Sequence, residues 1–248
     1  MSTSPSSAIR SGGLSNAIDI VIAPNAAFDR LREMPTWLWA FAVATVLGIV
    51  GSLLAQPAIF HALETTMPAQ LAADPNIAKL SPDQQQKQIA VVMGFTHVMS
   101  QIGWVFVPLA ILFGGLVQGL VQTIANAIGK GQGSFARFFA LSVTASVVGI
   151  GLYYLAFAAI VMVRGPSSFE TMSAIQNAVP GLALLVPGAH GFLAGFLGVV
   201  NVFVLWATAL LALGTIRIAR ISPVLGWAGP IVLLLISAAF AGYGARNG

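Results

Sequence analysis

With 248 residues, 57% of them hydrophobic and only 7% charged, the chain falls far below the roughly 25% charge of ordinary soluble domains and reads as an integral membrane protein. Its 11 Lys and Arg stand against 7 Asp and Glu, scattered between apolar runs with no basic face. That excludes a nucleic-acid partner and leaves orientation in the bilayer as the use of these charges. The sequence has no Cys, which excludes disulfides, thiolate nucleophiles and cysteine-ligated metal.

The opening stretch MSTSPSSAIRSGG has no apolar core of the kind a cleavable signal needs. Residues 1–15 are expected to form a disordered cytosolic tail. Over 16–35 a membrane-proximal amphipathic helix is expected. In APNAAFDRLREMP, Phe28, Leu31 and Met34 recur every three positions while Asp29, Arg30, Arg32 and Glu33 point elsewhere. Pro24 suits a first turn and Pro35 ends the helix. Such a helix either lies on the cytosolic membrane surface or caps the bundle.

Residues 36–248 are expected to be the transmembrane domain. A helix crosses the hydrocarbon with about 20 apolar residues, and five stretches qualify: 37–56, 104–128, 138–162, 192–216 and 224–243. Trp37, Trp39, Trp104 and Trp227 fall near their ends, as an aromatic belt does, while Trp206 falls mid-span. The fold class is therefore an all-α polytopic bundle with short interfacial helices. Between the first two spans lies a polar segment containing Pro57, Pro68, Pro75 and Pro82, in which Ser81 and Pro82 open a helix. A helix from there to Ile128 exceeds a bilayer, so its first half must project from the outer surface or lie along it, with a kink at Pro108. Over 168–178, Phe169, Met172 and Ile175 share one side, an interfacial collar on the outer face.

Five spans place the termini on opposite sides. A cytosolic N-terminus puts Arg10, Arg30, Arg32, Lys130, Arg137, Arg217 and Arg220 inside, leaving Lys79, Lys87, Arg164 and Arg246 outside, so N-in, C-out is expected.

The run QGLVQTIANAIGKGQGSFARF holds Gly129-Lys130-Gly131-Gln132-Gly133-Ser134. A phosphate-binding loop needs Lys and a hydroxyl directly after its final glycine, between strand and helix, and this order fails. The glycines instead end one span, Lys130 and Arg137 hold the turn in the cytosol, and Ser134 caps the next helix. Gln118, Gln122 and Asn126 fall within about 80° of arc, on a stripe shared with Gly114 and Gly115. They form a buried polar face that either packs against another helix or lines a hydrated path. Span four offers a partner side with Gly191, Gly195, Gly198, Asn201 and Thr208. Gly115 and Gly119 form a G-x-x-x-G pair through which two chains can dimerise.

His61, His97 and His190 fall toward the outer side without a ligand spacing, so no metal or cofactor is expected. No span carries a central carboxylate, and no nucleophile, base and orienting acid come together. The chain is expected not to be an enzyme.

IVIAPNAAFDRLREMPTW, GKGQGSFARFFALSVTASVV and GVVNVFVLWATALLALGTIRIARIS resemble, in order, the membrane-proximal entry, the glycine-bearing turn into span three, and the fourth span with its basic turn of the Yip1 family in its bacterial branch. The resemblance covers most of 20–243. It implies a five-span membrane protein, and in eukaryotes an association with Rab-type GTPases in vesicle traffic. This chain lacks the long N-terminal region and the aspartate-leucine-tyrosine-glycine-proline type of motif of eukaryotic members, so GTPase binding does not carry over. Asn201 stands where the resemblance implies an aspartate.

The expected function is a non-enzymatic scaffold or assembly factor in a bacterial inner membrane. A cytosolic edge of Phe28, Leu31, Lys130, Arg137, Arg217 and Arg220 meets a protein or lipid partner, or a second copy. The alternative is a passive permease or channel component that uses Gln118, Gln122, Asn126 and Asn201.

Overall fold

The computed structural model describes residues 6–246. Helices α1 (Ser6–Ile22) and α2 (Pro24–Glu33) precede the membrane helices. The first of these is α3 (Leu38–Ala72), followed by short α4 (Pro75–Ala78), then α5 (Pro82–Ile102) and α6 (Phe106–Ile128). Next come α7 (Phe135–Ser146), α8 (Tyr153–Arg164), short α9 (Met172–Gln176), α10 (Gly191–Val199), α11 (Val202–Ala219) and α12 (Pro223–Ala245). Five helical stretches are long and apolar enough to cross a membrane: 38–72, 82–128, 135–164, 202–219 and 223–245. The protein is an all-α polytopic membrane protein.

Residues 6–15, expected within a disordered tail, belong to α1, and residues 1–5 lie outside the described residues. Burial explains the order at the end of α1: Ala17 and Ile20 are buried in the same core as Ala27, Phe28 and Leu31 of α2. Asn16 fastens the arrangement. Its Nδ2 donates to Thr36 Oγ1 at 3.1 Å, and its Oδ1 accepts from Arg30 Nε at 2.7 Å.

The first span does not stop at Gln56. α3 runs through Pro57 and Pro68, although an interior proline removes a ladder bond and costs about 3 kcal/mol. Packing offsets this, because Ala55, Ala58 and Ala62 are buried against Phe157, Val161, Phe169 and Ile175. α5 and α6 are joined by one 3-10 turn at Gly103–Val105, so the irregularity precedes Pro108. That proline sits in the first turn of α6, where its missing N–H has no intrahelical partner to lose.

The third span carries a π-helical segment at Val147–Leu152. Its glycines permit close approach: a Cβ on Gly149 would meet Ala207 at 3.0 Å, and one on Gly151 would meet Leu47 at 3.3 Å. The fourth span is broken, contrary to the continuous 192–216 helix expected. α10 ends at Val199 and α11 begins at Val202. The freed backbone groups are satisfied by the preceding loop, as hydrocarbon demands: Leu182 N donates to Val200 O at 2.9 Å and Val202 N to Pro180 O at 3.0 Å. α10 lies along the end of α12, where Gly195 approaches Ala241. The collar expected over 168–178 is helical only at Met172–Gln176. Phe169 is wholly buried, edge-on to Phe157 and beneath the Arg164 guanidinium.

Candidate functional site

Two places carry polar chemistry, the amide stripe of α6 and the face where the N-terminal helices meet two turns. On α6 the three amides have different fates. Asn126 clasps the glycine turn: its Oδ1 accepts from Gly133 N at 2.9 Å and its Nδ2 donates to Gly133 O at 3.4 Å. Gln122 is 0% exposed, and neither its Oε1 nor its Nε2 has a hydrogen-bond partner. Gln118 borders a cavity of about 280 Å³ between α6, α7, the π-helical segment, α11 and α12, and its Oε1 is also unpartnered.

That cavity has room for about nine waters at about 30 Å³ each. Its polar lining is mostly acceptor. Ser142 Oγ donates to Phe138 O at 2.8 Å, Ser146 Oγ to Ser142 O at 3.1 Å and Thr208 Oγ1 to Val204 O at 2.8 Å, which leaves their oxygens to accept. Gly114, which borders the cavity, faces open space: a Cβ there would meet nothing within 4 Å.

Asn201 is not among the residues that line this cavity. It is the N-cap of α11: its Oδ1 accepts from Phe203 N at 3.0 Å and Val204 N at 3.1 Å. A cap is what a helix starting inside a bilayer needs, since its first N–H groups have no intrahelical acceptor. Gly191, Gly195 and Gly198 also stand away from α6, near Arg246, Ala241 and Gln176 respectively. Of the expected partner side, only Thr208 reaches the cavity beside Gln118. Gly115 and Gly119 are occupied within the chain by Phe139 and Val143 of α7, so this pair has no free face for a second copy.

The residues expected to meet a partner divide in two. Phe28 and Leu31 are 1% and 0% exposed, packed in the main core with Phe138 and Leu141, so neither is a surface contact. The three-residue spacing that marks them selects the inward side of a capping helix. Arg217 is engaged by α2: its Nε and Nη2 bond the two carboxylate oxygens of Asp29 at 2.8 and 2.6 Å. The Arg217 hydrogen bond holds the Asp29 carboxyl below the usual carboxylate range. Arg30 pairs with Asp19 at 2.5 Å. Arg137 donates to Gln132 O at 3.0 Å.

Lys130 and Arg220 are exposed and left-handed, with φ of 50° and 56°. Each follows a helix C-terminus, where a cation complements the dipole. The glycine turn lies on the α11–α12 turn, with Gln132 N donating to Ala219 O at 2.8 Å. A Cβ at Gly131 would strike Asn126 and Ile221, so the glycines serve close contact between turns.

What sequence reading missed on this face is α1. Leu14, Ile18 and Ile22 are 43%, 52% and 73% exposed and four residues apart, an apolar stripe at helical spacing. The signal was present in LSNAIDIVI.

Among the described residues no three His, Asp or Glu come together as a metal site. His97 instead stacks on Phe60 at 4.6 Å and meets Gln101 at 3.0 Å.

These features define a multi-pass helical membrane protein with a broken fourth span and an ion-paired cap over one face. The chain is similar to a protein of Bacillus subtilis (strain 168) described as "Membrane protein YknW", with 25% identity over 223 residues, covering 90% of this chain and 86% of that relative. No family model matches, and no solved structure matches.

Proposed function

We propose that the protein is a non-enzymatic scaffold or assembly factor of Yip1 type in a bacterial inner membrane. Its N-terminus is cytosolic and its C-terminus periplasmic, and it engages a protein or lipid partner at the cytosolic side. The contact is formed by Leu14, Ile18 and Ile22 of α1 together with Lys130 and Arg220, in place of Phe28 and Leu31. The observation that carries this reading is the closed state of the α6 stripe. The cavity reaches Gln118, Gln122 below it is fully buried among side chains, and Asn126 is sealed by Gly133. A permeation path needs polar groups that meet water along its length, and Gln122, 0% exposed, interrupts this row. The ion-paired α1–α2 cap, by contrast, leaves Leu14, Ile18 and Ile22 of α1 exposed, and the Lys130 and Arg220 turns are exposed as well.

The test is photocrosslinking from Ile18 in native membranes, read by mass spectrometry. A defined protein or lipid adduct that disappears in Ile18→Asp supports the reading. Proteoliposomes that pass small solutes faster than empty vesicles, and lose that flux in Gln118→Leu, would overturn it in favour of a permease.

A further inference from the structure

The cavity beside Gln118 is walled by α6 with Gly114 and Gln118, α7 with Ser146, the π-helical segment with Gly149, α11 with Thr208 and α12 with Ser237. Its depth follows from α11 and α12. At 18 and 23 residues they are about 27 and 35 Å long, close to the thickness of a hydrocarbon core of about 30 Å. Thr208 and Ser237 stand well inside these two helices, so the cavity lies within the bilayer.

The mouth and the floor can be placed from burial. Ala110 and Ser237 are exposed, whereas Gly115, Ser142 and Leu211, on the same lining, are buried. The cavity therefore opens between α6 and α12. One turn further along each helix, Phe113 and Phe240 are 70% and 74% exposed, so the mouth is framed by side chains that face lipid. In the other direction, one turn beyond Gln118 toward Lys130, a Cβ on Gly229 would stand 2.9 Å from Val121. The two helices meet there and the cavity ends.

Helix packing does not account for this space. A glycine inside a helix costs about 1 kcal/mol against alanine, yet a Cβ on Gly114 would meet nothing within 4 Å, so no neighbour requires a glycine there. The π-helical form of the Gly149 wall is one that occurs mostly at functional sites. Gln118 Oε1 is buried without a hydrogen-bond partner, and the Ser146 and Thr208 hydroxyls, which could have supplied one, donate to backbone carbonyls. Among the described residues, no charged side chain lines the cavity.

We infer that this cavity binds an uncharged lipophilic alcohol, which enters from the bilayer between α6 and α12. The uncharged walls reject an ion, whose burial without a partner costs several kcal/mol. A hydroxyl donates to Gln118 Oε1 and accepts from the N–H groups of the same amide, whereas a plain hydrocarbon leaves Oε1 orphaned. The volume of about 280 Å³ is about twice that of a cavity that holds benzene, which sets the buried part of the ligand at about ten heavy atoms. The site uses no residue of the cytosolic contact and stands whichever partner that contact takes.

The probe is azi-octanol, a photoreactive alkanol, with azi-octane as its counterpart lacking the hydroxyl. Each is applied to the full-length protein in proteoliposomes, and adducts are located by mass spectrometry. Azi-octanol is expected to label the Gln118 region of α6 and the Ser237 region of α12 saturably, with displacement by octanol. Azi-octane is expected to bind about fivefold more weakly, the worth of one hydrogen bond. Gln118→Leu, which keeps the side chain's size, should bring the two probes to equal affinity, and Gly114→Leu, which fills the cavity, should remove the saturable adducts. Should Gly114→Leu not fold, the Gln118→Leu comparison decides alone. Adducts that rise without saturation and spread over Phe113 and Phe240, equal binding of the two probes to the native chain, or a preference for the alcohol that survives Gln118→Leu would each overturn the inference.

Discussion

Gln122 provides the sharpest test of how the α6 stripe works. Its side chain is 0% exposed, and both amide atoms lack partners. An unsatisfied buried polar group costs about 1–3 kcal/mol. Leucine has nearly the same shape and removes both orphaned atoms. The full penalty is not recovered, because in a membrane the reference state is a separated helix in lipid, whose amide also finds partners. Nor is there a hydrophobic gain, since lipid tails are as apolar as leucine. The expected net effect of Gln122→Leu is therefore a stabilisation of about 1 kcal/mol. At the sensitivity of a chain of this size that is a rise of about 2–4 °C in melting temperature. The assay is thermal unfolding in detergent micelles followed by circular dichroism, with Gln122→Ala as the cavity-forming control expected to lose stability. A fall in melting temperature for Gln122→Leu would refute the reasoning, because it would mean that the amide has a hydrogen-bonding partner in the membrane.

Further substitutions probe three other contacts, the Gly51 approach, the Asp29–Arg217 pair and the Asn201 cap. A Cβ on Gly51 would lie 2.5 Å from the backbone of Tyr154, so Gly51→Val is expected to cost about 1–3 kcal/mol, whereas Gly114→Ala, which meets nothing within 4 Å, should leave unfolding unchanged. Asp29→Asn should loosen α2 without unfolding the bundle, seen as faster amide exchange over 24–33, and the exchanged pair Asp29→Arg with Arg217→Asp should restore protection. The Arg217 hydrogen bond holds the Asp29 carboxyl below the ordinary carboxylate range, so its contribution is complete above that range and is lost as pH falls through the lowered folded value. The same exchange measurement across acidic pH should show α2 loosening in that window in the native chain and not in Asp29→Asn. Asn201→Ala removes the acceptor of two N–H groups at the start of α11 and is expected to cost about 0.5–2 kcal/mol, while Asn201→Asp keeps the cap and most of the stability.

The membrane architecture was legible because its cause is local. A run of about 20 apolar residues has one stable state in hydrocarbon, and four of the five runs are continuous helical stretches in the structure, while the fourth is split between Val199 and Val202. What sequence could not place depends on contacts between distant segments. α3 continues through Pro57 because its alanines meet Phe157 of α8 and Phe169 of the loop that follows α8, and no local propensity encodes that. α1 was read as largely tail, since its apolar residues look sparse until Asn16 is known to bond Thr36 and Arg30.

The break in span four separates the two kinds of information most clearly. GVVNVF carries no proline, and hydropathy runs straight through it; only a loop twenty residues earlier, offering Pro180 O and Leu182 N to Val202 and Val200, makes an interruption affordable inside a bilayer. The single polar residue of that stretch was the available clue. Asn201 was read as one more amide on a buried face, yet an asparagine flanked on both sides by apolar residues serves a capping role as readily as a lining one. The cap fits better, because its Oδ1 can satisfy two orphaned N–H groups at once, whereas an amide facing only side chains leaves its own atoms unpaired, as Gln122 does. A carboxylate accepts the same two bonds and favours the positive end of the α11 dipole, so the position calls for an acceptor, and a charge-dependent role is not required to explain a polar residue there.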